Sequence, residues 1–95
     1  MPAVYILTNR TNYALYIGAT NCLNRRTYEH ILKLVPSSFS AHYNTLKLVY
    51  YEIFDDELTA FRREHQLKNW HRQWKRNLIT NANPKWHDLT DTLLP

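Results

Sequence analysis

One glycine, one cysteine and four prolines are spread over 95 residues, and no apolar run is long. Each scarcity excludes something. A single glycine, Gly18, cannot build a GxGxxG or Walker-type phosphate loop, so nucleotide-cofactor chemistry of those kinds is ruled out. A single cysteine, Cys22, forbids an intramolecular disulfide and any site made of several thiolates. Its position near a helix start favours the thiolate slightly, but with no thiol partner it reads as a packing residue rather than a nucleophile. No segment approaches the roughly 20 apolar residues of a bilayer span, and Met1-Pro2-Ala3 lacks a basic stretch leading into an apolar one. The expectation is a soluble, cytoplasmic protein with no membrane partner. The five histidines show neither an HExxH pattern nor paired zinc spacing.

What is present is a globular share of hydrophobic residues, 44%, rich in aromatics with seven Tyr and three Trp. Such a composition excludes a wholly disordered chain, and the length holds one core, so residues 1–95 are read as one domain. Lys and Arg number 12 against 8 acids, a net charge of +4.

Val4–Leu7 and Leu15–Ile17 are β-branched, aromatic and apolar, separated by the polar interval Thr8-Asn9-Arg10-Thr11-Asn12, which signals a strand, a turn and a strand. Asn tolerates positive φ, so Asn9 and Asn12 stand in for the missing glycines. A loop centred between Arg10 and Thr11 pairs Tyr5 with Tyr16 on one face. After Thr20-Asn21, a cap, apolar or small residues at 23, 27, 31 and 34 predict a helix over 22–34, with Arg26 and His30 one turn apart beside that stripe. Pro36–Ser40 opens a surface loop carrying Phe39, His42 and Tyr43. Leu46–Phe54 reads as a third, buried strand.

Asp55-Asp56 caps a helix from Glu57 to about Asn69 whose apolar stripe is Ala60, Phe61 and Leu67. A further helical stretch carries Trp70, Trp74 and Leu78 as its apolar side, and the tail looks irregular, pinned by Trp86. The fold class is therefore α/β in the α+β sense.

Glu64 falls inside the apolar stripe, and an ionised carboxylate turned toward apolar surface costs several kcal/mol unless a cation or donors meet it. Two partners are open: an Arg on a neighbouring helix, or one Mg²⁺ or Mn²⁺ held by a carboxylate, waters and phosphate oxygens. Arg26 presents a guanidinium fork that matches a phosphate, and His30 shares its helix face. Between positions 59 and 76 six basic residues (Arg62, Arg63, Lys68, Arg72, Lys75, Arg76) meet one acid, Glu64, which points to a polyanionic partner. Phosphate contacts of this kind position a strand without reading its sequence.

Taken in order, these motifs resemble the GIY-YIG nuclease superfamily. Val4-Tyr5-Ile6 and Tyr16-Ile17-Gly18, their tyrosines eleven positions apart, are similar to the two halves of its signature. Thr20-Asn21, Leu23, Arg25-Arg26 and Glu29-His30 resemble its first helix. Leu48–Glu52, Ala60, Arg63-Glu64, Leu67-Lys68, Trp70, Asn83-Pro84, Trp86 and Asp88-Leu89 resemble the small stand-alone bacterial branch related to the nuclease domain of the excision-repair incision subunit. Ala3 departs from the pattern, standing where the first signature Gly would be.

The resemblance implies a three-stranded antiparallel sheet flanked by helices and a metal-dependent endonuclease of low sequence specificity, acting on single-stranded or branched DNA in repair or processing. Carried over by position, Tyr5, Tyr16, Arg26, His30 and Glu64 form the catalytic set, with Glu64 the ligand of a single Mg²⁺ or Mn²⁺. Tyr5 is the expected proton acceptor from water, and Tyr16 and His30 orient water and phosphate. Arg25, Lys68, Arg72, Lys75, Arg76 and Asn83 are the expected nucleic-acid contacts. Gly18 is expected to leave room for a phosphate backbone. A non-catalytic nucleic-acid-binding module and a protein-interaction domain are the competing readings.

Overall fold

A computed structural model of the chain describes residues 1–23, 25 and 47–92. The β-branched and aromatic residues of the N-terminal segment form β1 (Ala3–Thr8), and its hairpin partner is β2 (Leu15–Thr20). The third strand, β3 (Lys47–Ile53), pairs with the other side of β1, so all pairings are antiparallel and the order is β2-β1-β3. Being central, β1 is buried along its whole length.

The hairpin register differs from the expected one by two residues. Tyr5 lies opposite Gly18, and Tyr16 opposite Leu7. The loop rather than the strands sets this. The Asn9 side-chain oxygen accepts hydrogen bonds from the backbone amides of Tyr13 and Ala14 at 2.9 and 3.2 Å, and Asn12 takes φ of 60° while its amide donates to the Asn9 carbonyl. Asn12 thus supplies the positive φ alone, and Asn9 contributes through its side chain. A slip of two preserves the face of every side chain, because strands alternate with period two.

An extra residue in β3 falls between the partners of Ile6 and Leu7, since Ile6 pairs with Tyr50 and Leu7 with Leu48. This bulge turns both Val49 and Tyr50 toward one face. On that face Val4, Ile6, Ile17 and Val49 pack against α1 (Glu57–Lys68) through Ala60 and Leu67, and against α2 (Arg72–Ala82) through Ile79. The opposite face gathers Ala3, Tyr5, Leu7 and Leu48 with Leu23. Leu23 and Arg25 are helical, and the rest of the helix expected over 22–34, with Arg26 and His30, lies outside the described residues, as does the loop with Phe39, His42 and Tyr43.

The start of α1 is set by Asp56, whose carboxylate accepts the Thr59 amide at 2.8 Å. Hydrogen bonds from that amide and the Thr59 hydroxyl hold the Asp56 carboxyl below its ordinary value. Phe61, expected in the apolar stripe, is instead 54% exposed and stacks obliquely on His65 at 5.1 Å. In α2 the expected apolar side is also displaced: Trp74 is 55% exposed, and Ile79 is the buried residue.

After α2 the chain runs along the open side of β3. The amide of Leu89 donates to the Leu48 carbonyl at 2.7 Å, the Leu48 amide donates to Asp88, and Trp86 is buried with φ of 54°. Its indole N–H donates to the Thr80 hydroxyl at 3.0 Å, so this tryptophan does pin the tail. A short 3₁₀ turn, Thr90–Thr92, follows. Among the described residues no helix is long and apolar enough to cross a membrane.

Candidate active site

Tyr5 and Tyr16 point to the same face from neighbouring strands, with ring centroids 6.2 Å apart and planes tilted by 41°. What lets them meet is Gly18. A Cβ at Gly18 would stand 2.4 Å from the Tyr5 hydroxyl oxygen and 3.1 Å from the Tyr16 ring. The glycine therefore leaves room for the signature phenols of the protein itself, not for an approaching phosphate backbone, which corrects the expectation from sequence. Tyr5 is 2% exposed whereas Tyr16 is half-buried. Leu23, at the start of the segment that carries Arg26 and His30, packs in the same cluster.

Glu64 lies on the other side of the sheet from the two tyrosines. It stands on α1, whose buried residues Ala60 and Leu67 cover the opposite face of the sheet, and α1 lies over β2 and β1. Its side chain is 14% exposed, and among the described residues its ionic partner is Lys68, one turn on, at 3.6 Å. A pair so long and so unequally exposed binds the carboxylate loosely. β2, which α1 covers, is an edge strand, so a substrate that meets groups on both faces has a route around that edge.

Among the described residues the ion pair of Glu64 is with Lys68 of its own helix, not with the arginine of a neighbouring helix that was one expectation, and the adjacent Arg63 is engaged by Glu52. Arg63 holds both Glu52 oxygens at 3.0 Å, lies 5.2 Å over the Trp70 ring, and donates to the Gln66 side chain at 2.6 Å. The Tyr50 hydroxyl donates to Glu52 as well. Burial, reinforced by the carboxylate beside it, pushes the Tyr50 phenol up to about 12, and the same carboxylate raises Arg63. This network ties β3 to α1 next to Glu64. A carboxylate at an inward strand position with a basic helix after it was the available signal for it.

The basic residues are unequally free. Arg76 donates to the Asn12 carbonyl at 2.7 Å and lies 4.5 Å over the Trp86 ring, while Arg72 donates to the Tyr13 carbonyl and lies 4.8 Å over the Tyr13 ring. Lys75 reaches the Lys68 carbonyl at 3.4 Å, and Arg25 is exposed. Asn83 is 7% exposed, and its amide group donates to the carbonyls of Val49 and His87 at 3.1 and 2.9 Å while its oxygen accepts the His87 amide. The side chain expected to touch nucleic acid thus satisfies the carbonyl left open by the β3 bulge. Cys22, expected to pack, is exposed.

The model of the GIY-YIG catalytic domain matches residues 1–77 of the sequence. The chain belongs to the GIY-YIG family. This is a nuclease family, with nucleic acid as the substrate class and a divalent metal in general use, and the matched span takes in the tyrosine pair, the segment with Arg26 and His30, Glu64 and most of the basic helix. No curated protein matches the chain. Among solved structures, the solution NMR structure of a UPF0213 protein from Bacillus halodurans is similar, with a TM-score of 0.58 and 24% identity over 96% of each chain. That likeness concerns the fold, a three-stranded antiparallel sheet with two described helices in the α+β class.

Among the described residues no three His, Cys, Asp or Glu side chains converge into a metal cage. A hard divalent ion that keeps most of its waters needs only one or two carboxylates beside substrate oxygens, and the loosely paired, largely shielded Glu64 suits that role.

Proposed function

We propose that this GIY-YIG domain is a divalent-metal-dependent endonuclease that hydrolyses phosphodiester bonds of DNA with low sequence specificity, in cytoplasmic DNA repair or processing. The carrying observation is the matched catalytic domain together with two phenols packed 6.2 Å apart over the signature glycine. Glu64 is the residue that would hold Mg²⁺ or Mn²⁺, which when bound supplies charge neutralisation at the phosphoryl and leaving oxygens.

The remaining roles belong to the chain itself. A phenol that takes a proton from water must meet that water, and Tyr16 is the more exposed of the pair. Tyr16 is thus favoured over Tyr5 as the acceptor, and Tyr5, wedged against Gly18, orients it. Arg26 neutralises charge developing on the phosphate, and His30 orients the phosphate or water; both assignments follow from their places in the signature. Lys75, Arg25 and the outward parts of Arg72 and Lys68 guide the backbone of the strand.

The test is nicking of single-stranded, duplex and branched DNA across a titration of Mg²⁺ and Mn²⁺. Cleavage that needs the metal and disappears in Glu64→Ala and Arg26→Ala, with circular dichroism unchanged, is the expected result. Activity persisting in folded Glu64→Ala protein removes the metal-ligand role, and strong discrimination between unrelated duplexes removes the low specificity.

A further inference from the structure

Trp74 is 55% exposed on α2 and is braced by two rings that meet it at right angles, Trp70 at 5.9 Å and 84°, and His71 at 5.2 Å and 82°. Trp70, Trp74, Asn77, Leu78 and Asn81 line a cleft of about 350 Å³. Positions 74, 77 and 81 form one outward stripe of α2, while Leu78 and Trp70 are partly buried and pack against the core that holds Ile79. Trp74 is the ring left exposed, backed by a core-packed Trp70, and the composition of this cleft says which kind of partner it suits. Perpendicular indoles form a corner in which a planar ring lies flat on one wall and is bounded by the other. Two amides beside it offer donors and acceptors in the plane of such a ring. The Asn77 oxygen accepts from Gln73 at 2.9 Å, which leaves its NH₂ for a ligand.

Charge completes the description. Arg63, over the Trp70 ring, is matched by Glu52, whereas Lys75, whose ammonium reaches the Lys68 carbonyl, has no ion pair among the described residues. An occupant that joins an aromatic ring to an anion suits a cleft with aromatic walls, amide edges and that cation nearby.

Resting on the nuclease reading above, we infer that the Trp70–Trp74 corner is a stacking site for an unpaired base of the substrate, with Asn77 and Asn81 meeting the base edge. A base inside a duplex has its faces covered by its neighbours, so such a site selects single-stranded or locally opened DNA and tolerates any sequence.

The experiment compares a short oligodeoxythymidylate with an abasic strand of equal length and equal phosphate number, both labelled, by fluorescence anisotropy in EDTA so that no cleavage occurs. Wild type is expected to bind the base-bearing strand roughly 5- to 150-fold more tightly, the range of one stacked base. In Trp74→Ala the ratio falls toward one, and Trp74→Phe, which keeps a ring, restores a large part of it. Wild-type tryptophan emission should also be quenched by the base-bearing strand and not by the abasic one, a measurement that requires no variant. Equal affinities in wild type, or an unaltered ratio in Trp74→Ala, overturn the stacking site. A protein that keeps the ratio but cuts nothing with any metal retains the site and loses the nuclease reading; one that cuts with a ratio of one does the reverse.

Discussion

Gly18 allows the two signature tyrosines to share one strand face, and the cost of a methyl group there can be stated. Tyr5 is 2% exposed, so its ring has little room to swing away from a Cβ that would stand 2.4 Å from its hydroxyl. Gly18→Ala is expected to destabilise the protein by about 1–3 kcal/mol, the usual effect of overpacking, and to lower cleavage by misplacing the phenols. A double-mutant cycle separates this from a general strand effect: in a Tyr5→Ala background Gly18→Ala should cost only a few tenths of a kcal/mol in denaturant unfolding. An unchanged cost in that background would mean that Tyr5 is not what the glycine accommodates. The pairing of Tyr5 with Tyr16 on a face was legible because alternation in strands fixes parity. The register was not, since it depends on the Asn9 side chain capping the turn and on which asparagine adopts positive φ. Nor was the role of Gly18, because a missing side chain in a sequence does not say whether substrate or protein fills the space.

Between elements, the Tyr50–Glu52–Arg63 network decides how α1 sits on the sheet, and it carries a pH signature. The Tyr50 phenol is raised from 10.0 to about 12 in the folded protein, so the native state keeps a proton that the unfolded chain releases sooner. The stability this contributes is complete below pH 10 and is lost as pH rises toward 12. Tyr50→Phe should accordingly show a flatter stability profile over that alkaline interval than wild type, read by chemical denaturation at stepped pH; parallel profiles would show that Tyr50 is not the group responsible. The helix α2 illustrates where reading by periodicity fails. Trp70, Trp74 and Leu78 share a spacing of four, but α2 begins at Arg72 after a cap at His71, so Trp70 belongs to the junction and does not set the helix phase. The side of α2 turned toward the sheet and the β1–β2 turn carries exposed Arg72, half-buried Arg76 and buried Ile79, and it ends at Asn83, the cap that is buried against β3. The two arginines on this side are accounted for by the loop carbonyls of Asn12 and Tyr13, which accept from Arg76 and Arg72. Arg76→Ala is therefore expected to lower stability by about 1–3 kcal/mol, through the lost carbonyl bond and the lost stack on Trp86, with Lys75→Ala within about 0.5 kcal/mol of wild type.

Over the whole molecule, a formal charge of +4 understates the field that a nucleic acid meets and overstates the number of free cations behind it. Arg63 is matched by Glu52 and Lys68 by Glu64, whereas among the described residues Arg72 and Arg76 hydrogen-bond to neutral carbonyls and so keep their charge while being held in place. Cations fixed in this way form a rigid positive ridge beside the β1–β2 turn, with half-buried Lys75 on the same helix. A single strand lying along about three to five such charges releases a comparable number of counterions, with a slope near −0.7 for each. Raising salt from about 50 to about 200 mM should then weaken binding roughly 20- to 100-fold, measured in EDTA with an abasic strand so that stacking does not contribute. Lys75→Ala should reduce the magnitude of the slope by about 0.7, whereas Trp74→Ala should leave the slope as in wild type, because a stacked base displaces no ions. Salt-insensitive binding would contradict the ridge and favour a protein partner for this face. A slope altered equally by both substitutions would mean that the ridge and the aromatic corner are not separate parts of the surface.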